Sequence, residues 1–325
     1  MKSGLKSDVM KKLAQHLILM VFGLFLSHLA VAQEEVPYLL TVSARGDVAT
    51  VRAMLGSGVD VNSRDSDGVT AVMYAARRDK TEVVQILLDK GADPNAKDNG
   101  GWTALMLAAR KNYLKTAEVL LNKGADPVLR DVSGWSAMGM AATSGYSEMV
   151  GLLIEHGMDV NTKSDDGKSV LMYAAKNGDV ATIEVLLAHG ALVAERDRLK
   201  VTALMYAARE GNVDAIKTLI AAGAKVDEQD QSKWTALSWA VRKKHVEAVS
   251  TLIAKGADVN HKDGEGTPPL QNAVLNGDVA MVALLIKNGA NVKAKDQYGL
   301  SALVYALKGK NPEIVKMIKD AGGSY

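Results

Sequence analysis

The chain contains no cysteine among its 325 residues. Disulfides, thiolate metal sites and a lipidated N-terminal cysteine are thereby excluded, and the fold must hold without covalent staples. Phenylalanine is almost absent, and the two that occur, Phe22 and Phe25, both fall in the first 32 residues. No Asn-x-Ser/Thr triplet occurs, which is compatible with bacterial export and gives no support to eukaryotic secretion. Excess charge is also lacking, at a formal +2. What is present is ordinary: 48% hydrophobic and 23% charged residues, enough for a substantial core and unlike a disordered or polytopic membrane chain.

Residues 1–32 differ from the rest. Lys2, Lys6, Lys11 and Lys12 precede the apolar run Leu17 to Leu26, and Ala30-Val31-Ala32 follows. This is the layout of a secretory signal, with cleavage expected after Ala32. A helix over that run would span roughly 15 Å, about half a bilayer core, so a stable span is the weaker expectation. The alternative is retention as an N-terminal anchor in the inner membrane. The segment carries four lysines and one acid, Asp8, so the remainder has a net charge of about −1. The overall pI of 8.5 is therefore no argument for nucleic acid, and no nucleic-acid partner is expected.

From Glu35 the chain falls into lines of 33 without an insertion. Glycine keeps one phase from Gly58 through Gly91 and Gly124 to Gly322, and alanine a second from Ala75 to Ala306. A third phase is aliphatic, from Leu87 to Ile318. Within the unit Gly68 to Gly100, Thr70 is a suitable N-cap for a first helix with Val72, Ala75 and Ala76 on one face. Thr81 to Asp89 forms a second helix with Val83, Val84, Leu87 and Leu88 on one face, ended by a left-handed Gly91. Ala92 to Asp98 is extended and turn-forming. Neither helix buries its face alone, so each unit needs its neighbour, and nine units at about 10 Å each give a rod on the order of 90 Å. The expected fold is an all-α repeat solenoid: an N-terminal capping unit at 35–67, seven internal units at 68–298 and a C-terminal cap at 299–325. Asn311-Pro312-Glu313 suits the start of the last helix.

Thr103-Ala104-Leu105-Met106-Leu107-Ala108-Ala109, followed by Leu120-Leu121-Asn122-Lys123-Gly124-Ala125-Asp126, resembles the ankyrin repeat. The resemblance covers Glu35 to Tyr325. The histidine usual after the family's Thr-Pro-Leu is replaced by Met73, Met106, Gly139, Met172, Met205, Ser238, Gln271 and Val304. That removes a threonine–histidine hydrogen bond common in the family and implies a loss of local rigidity.

Repeats occupy nearly all of the chain beyond residue 32, so an active site would have to sit on the repeat surface. Gly167-Lys168-Ser169 has Thr162 where a phosphate loop needs glycine and falls at the ordinary hairpin register. His156 and His189 share a phase one unit apart, too distant to bind one zinc ion. His245 and His261 read as structural or exposed, the hairpin acids do not match calcium-loop spacing, and the methionines read as core filler. An enzyme is not expected, and neither a metal nor a cofactor.

The resemblance implies a partner docked on the concave side, against hairpin tips and the ends of the inner helices. The tip phase holds Trp102, Trp135 and Trp234, three of the four tryptophans, and exposed indoles are frequent interface anchors. The helix-end phase holds Arg77, Arg110, Lys176, Arg209, Arg242 and Lys308, and a hairpin phase adds Arg64, Lys97, Arg130, Lys163, Arg196, Lys262 and Lys295. Both rows predict a basic groove suited to an acidic protein partner. Two consecutive units replace the tip glycine by Lys200 and Lys233. A left-handed lysine costs roughly 1–2 kcal/mol, which marks these two, with Arg198 and Trp234, as a candidate contact patch. The expected function is a monomeric, non-catalytic protein-binding scaffold in the periplasm or outside the cell. An inhibitor or immunity protein and an accessory factor in stress defence both fit it. The alternative is a receptor for carbohydrate or cell-wall ligands that uses tryptophan stacking.

Overall fold

The computed structural model describes residues 37–324. The N-terminal segment read as an export signal lies outside the described residues. Among the described residues, eighteen helices alternate between an inner and an outer row. The inner row is α1 (Tyr38–Arg45), α3 (Ala71–Ala76), α5 (Ala104–Ala109), α7 (Ala137–Ser144), α9 (Val170–Asn177), α11 (Ala203–Glu210), α13 (Ala236–Arg242), α15 (Pro269–Leu275) and α17 (Ala302–Lys308). The outer row is α2 (Val48–Gly56), α4 (Thr81–Asp89), α6 (Leu114–Asn122), α8 (Ser147–Glu155), α10 (Val180–Ala188), α12 (Val213–Ala221), α14 (Val246–Ala254), α16 (Val279–Lys287) and α18 (Pro312–Asp320). Each helix packs on its antiparallel mate and on its counterpart in the adjoining unit. No strand forms among the described residues, but hairpin loops close in four isolated antiparallel bridges, such as Arg64 with Thr70 and Lys295 with Ser301.

Five of the inner helices, α3, α5, α7, α11 and α13, start where an extended threonine or serine turns its hydroxyl onto the first turn. Thr70, Thr103 and Thr202 accept from the backbone N–H of Met73, Met106 and Met205 at 3.3 to 3.4 Å. Three of the methionines that stand for histidine, Met73, Met172 and Met205, take up a cap bond of their own. The N–H of Thr70, Ser169 and Thr202 donates back to the sulfur of Met73, Met172 and Met205 at 3.4 to 3.5 Å, which closes a reciprocal cap with a thioether at Thr70 and Thr202. Gln271 fills the position differently: its Nε2 donates to the carbonyls of Ala294 and Leu300 and ties α15 to the next hairpin.

The alanine phase is fully buried from Ala75 to Ala240, and these small side chains let inner helices come close. Val83, Val84, Leu87 and Leu88 face the same continuous core from α4, and Gly91 ends that helix with φ +87°. Truncating one fully buried leucine of the aliphatic phase, such as Leu120 or Leu153, costs about 2–5 kcal/mol. At the ends, Leu39, Leu40 and Val42 of α1 and Ile314 and Ile318 of α18 are buried, whereas Tyr38 and Lys319 face solvent.

Polar ladders reinforce the stack. The side chain of Asn95 donates to Gly124 O at 3.0 Å and accepts from Asp126 N at 2.7 Å. Asn62, Asn161 and Asn260 repeat this bridge.

Candidate functional site

The hairpins and the C-terminal ends of the inner helices line common clefts, on the side that the resemblance implies is concave. Most hairpins turn around one carboxylate, and the hairpin before α9 uses the Ser164 hydroxyl instead. Oδ1 of Asp98 accepts from the N–H groups of Gly100 and Trp102, both at 2.9 Å. Asp131, Asp197, Asp230, Asp263 and Asp296 do the same in their units. Their charge is thus spent on turn N–H groups. Where the residue nine positions on is Tyr or Trp, Oδ2 takes a second bond. Tyr74, Tyr206 and Tyr305 donate to Asp65, Asp197 and Asp296 at 2.5 to 2.9 Å, and Trp239 Nε1 donates to Asp230 at 3.0 Å. Burial and then the Asp197 carboxylate push the Tyr206 hydroxyl well above the usual phenol range. The bond to Asp296, reinforced by burial, pushes Tyr305 up to about 12. Burial opposes the charge of Asp296, but the Tyr305 bond and two backbone N–H groups outweigh it and hold the carboxyl below the usual range.

The basic helix ends lie on this aromatic row. Arg77 stacks over Tyr74 at 4.8 Å, Arg110 over Trp102 at 5.3 Å, Arg209 over Trp239 at 5.3 Å and Arg242 over Trp234 at 4.9 Å. Lys308 lies 5.7 Å from the Tyr305 centroid. Such stacking contributes about 0.5–1 kcal/mol at exposed sites, and it pre-orders the guanidinium planes. Arg77, Arg110, Lys176 and Arg242 are exposed and Arg209 is half-buried. Nε of Arg209 makes no hydrogen bond among the described residues, and the nearest carboxylate, Glu210, is 3.7 Å away.

The three tip tryptophans are half-buried, not freely standing. Trp102 is covered by Arg110, Trp135 packs on Tyr173 with centroids 5.0 Å apart, and Trp234 packs on Trp239 at 4.9 Å. Gly139 makes room for Trp135, because a Cβ there would stand 3.4 Å from its ring. Lys200 and Lys233 keep the left-handed backbone of the glycines they replace, with φ +61° and +59°, and both are exposed beside Arg198. Lys244 and Lys310 adopt the same conformation in another turn, so the strain itself is not confined to the tips.

The hairpin row of cations departs from expectation. It does not line a free groove, because six of its seven members, all but Lys295, reach across to the neighbouring hairpin. Arg64 donates to Lys97 O at 2.7 Å, Lys97 to Arg130 O at 2.8 Å and Lys262 to Lys295 O at 2.7 Å. Arg130 donates to Lys163 O, Lys163 pairs with Glu195, and Arg196 pairs with Glu228. A lysine or arginine side chain is long enough to span one repeat spacing, so this register becomes a row of staples. The concave basic charge therefore resides in the helix ends and in the tips around Arg198, Lys200 and Lys233.

The other candidates are structural. Lys168 pairs with Asp166, and Ser169 is the N-cap of α9. Asp166 raises the Lys168 ammonium above the usual range. His189 Nδ1 meets Val185 O at 2.8 Å, His245 Nε2 meets Arg209 O at 3.1 Å and His261 Nε2 meets Lys233 O at 2.8 Å. Among the described residues, no three His, Asp or Glu side chains converge to hold a metal ion, and no helix is long and apolar enough to cross a membrane. The aromatic row of Tyr74, Tyr173, Tyr206, Trp239 and Tyr305 is not among the residues singled out from sequence. Its signal for Tyr74, Tyr206, Trp239 and Tyr305 is an aspartate nine residues before the aromatic, in phase with the 33-residue period, whereas Ser164 stands at that place before Tyr173.

A stack of helix pairs joined by extended hairpins, with polar ladders between units, defines a helical repeat solenoid. The family model described as ankyrin repeats (3 copies) matches residues 39–131, 129–197, 191–263 and 260–324. The chain belongs to the ankyrin-repeat family. Among solved structures, the human ASB11 ankyrin repeat domain is similar with a TM-score of 0.63 and 25% identity, over 69% of this chain and 100% of that one. The fold recurs in 624 solved chains, so likeness of fold does not name a partner. Among curated proteins none matches this chain.

Proposed function

We propose that this protein is a non-catalytic binding scaffold of the periplasm that engages a partner protein through its concave face. The observation that carries this reading is the division between its two cation rows. The hairpin row is consumed in holding units together. The helix-end row lies on aromatic rings with its charge turned outward. Pre-ordered arginines on an aromatic bed lose little side-chain entropy on docking and match carboxylates bidentately. The periplasmic assignment rests on residues 1–32 as a signal cleaved after Ala32. Protein is favoured over sugar as the ligand because the indoles are already covered by arginine or by another ring. Inhibition of a toxin and support of a stress-defence factor are the two roles that fit such a scaffold.

Affinity capture from periplasmic extract tests the reading. A Trp102→Ala/Trp135→Ala/Trp234→Ala variant that remains folded should lose the partner that the unaltered chain retains. Equal recovery by both would place the interface elsewhere.

A further inference from the structure

The helix-end register carries a long cation in six of the inner helices, but Ala44, Thr143 and Leu275 stand there in α1, α7 and α15. A cleft opens at each of the three, with volumes of about 760, 650 and 810 Å³; the one at Ala44 borders the turn at Arg78 and Lys80, and those at Thr143 and Leu275 lie between hairpins and helix ends. The physical cause is direct: a basic side chain laid over its aromatic neighbour fills the space between adjacent helix ends and hairpins, and a short or uncharged residue leaves it open. Two of these clefts have aromatic pairs for walls, Trp135 with Tyr173 and Trp234 with Trp239. In the second, Leu275 and Tyr298 are themselves 58% and 71% exposed.

Between these two clefts the face is basic. Lys176, Arg209 and Arg242 occupy the helix ends, and Arg198, Lys200 and Lys233 the tips. The acids of the same hairpins, Asp197 and Asp230, are buried and already accept turn N–H groups together with Tyr206 and Trp239. Glu210, beside Arg209, is the exposed acid on the helix ends of this stretch. At the tips, acids appear only on the flanks, as Asp165 and Asp166 before it and Glu265 after it.

We propose that the part of the partner seated on this face is an extended acidic segment, held at each end by a bulky apolar side chain in the clefts at Thr143 and Leu275. The inference rests on the concave-face reading above and states what that face accepts. The two clefts are four units apart, about 40 Å at roughly 10 Å per unit. An extended chain covers that distance in about twelve residues at ~3.3 Å each, and one unit in about three. The segment therefore has its two apolar anchors about a dozen positions apart, with carboxylates at roughly every third position between them.

The probe is a labelled peptide with tryptophans about twelve residues apart, aspartates at about every third position between them, and glycine and serine elsewhere. One control replaces the aspartates by asparagine and another halves the tryptophan spacing. Fluorescence anisotropy with the whole chain should show saturable binding of the probe, and binding at least about tenfold weaker for either control. The decisive variant is T143R/L275R, which restores the cation of the neighbouring units and so disturbs folding little. It adds two positive charges to the face while filling both clefts. The proposal expects affinity for the probe to fall at least about tenfold. An affinity that rises or stays unchanged would show attraction by the field alone and overturn the proposal, as would an absence of saturable binding or equal binding of the short-spaced peptide. If the native partner is lost on removing the helix-end arginines but kept by T143R/L275R, the concave face stands and the segment inference falls.

Discussion

The hydroxyl of Tyr206 donates to Oδ2 of Asp197 at 2.8 Å while Oδ1 of the same carboxylate accepts from Leu199 N and Val201 N, both at 2.9 Å. One buried aspartate thus fixes a hairpin to itself and to the inner helix that follows. The same relationship joins Asp230 to Trp239 and Asp296 to Tyr305, and it shapes both the stability and the surface of the solenoid.

Alkaline stability should report these bonds. The folded-state values of Tyr206 and Tyr305 are raised, so the folded chain holds protons that the unfolded chain releases near pH 10. Their contribution is complete below that point and is lost as pH rises through the folded values, from about 10 toward about 12 for Tyr305. Urea unfolding at stepped pH should show this loss, and Tyr206→Phe/Tyr305→Phe should flatten it. At neutral pH, Tyr206→Phe alone should cost about 1–3 kcal/mol, because a buried carboxylate oxygen loses its partner. A pH profile identical to that of the unaltered chain would count against the role given to these tyrosines.

The two cation rows should separate in mutagenesis. Arg64→Met removes the donors to Gly68 O and Lys97 O and should lower stability by about 0.5–1.5 kcal/mol with partner binding retained. Arg77→Gln, which leaves only a cation–ring contact behind, should change stability by about 0.5–1 kcal/mol or less. Its effect should appear in binding. Reversed effects in paired unfolding and binding measurements would contradict the division.

Lys200→Gly/Lys233→Gly relieves left-handed backbone at two exposed tips. Each change should stabilise the fold by about 1 kcal/mol after the added freedom of the unfolded chain is counted. Partner affinity should fall, since two of the three tip cations leave the basic stretch. Unchanged affinity in a titration would remove the lysines from the interface and leave them as strained turn residues.

The Asn95 bridge between units should be worth about 1–2 kcal/mol, as it satisfies Gly124 O and Asp126 N together. Asn95→Ala should show that loss in denaturant unfolding. Val128 occupies the next rung of the ladder, so Val128→Asn offers the converse measurement, a gain of stability where a rung is restored.

Much of the fold was legible in the sequence because period and capping are local signals. Thr81 to Asp89 read as a helix is α4 to the residue, Thr70 is the N-cap of α3, and Asn311 caps α18 with Pro312 in its first turn. The candidate site was legible only as phases. That Arg64 and Lys97 are spent on carbonyls one unit away depends on the distance between hairpins, which no local pattern carries. The covered faces of Trp102 and Trp234 depend on rotamers set by Arg110 and Arg242. The clefts at Thr143 and Leu275 arise from what is missing in a register, and become visible once the helix ends are seen to fill the groove.

The central claim is that the helix-end arginines are presented to a partner protein while the hairpin cations hold the rod together. Its most direct test is quantitative capture of the partner by two folded variants side by side. One carries Arg77→Gln, Arg110→Gln, Arg209→Gln and Arg242→Gln, and the other Arg64→Gln, Lys97→Gln and Lys262→Gln. The first should lose the partner while unfolding at nearly the same denaturant concentration as the unaltered chain, and the second should keep the partner while unfolding earlier. Retention of the partner by the helix-end variant at unaltered affinity would contradict the account.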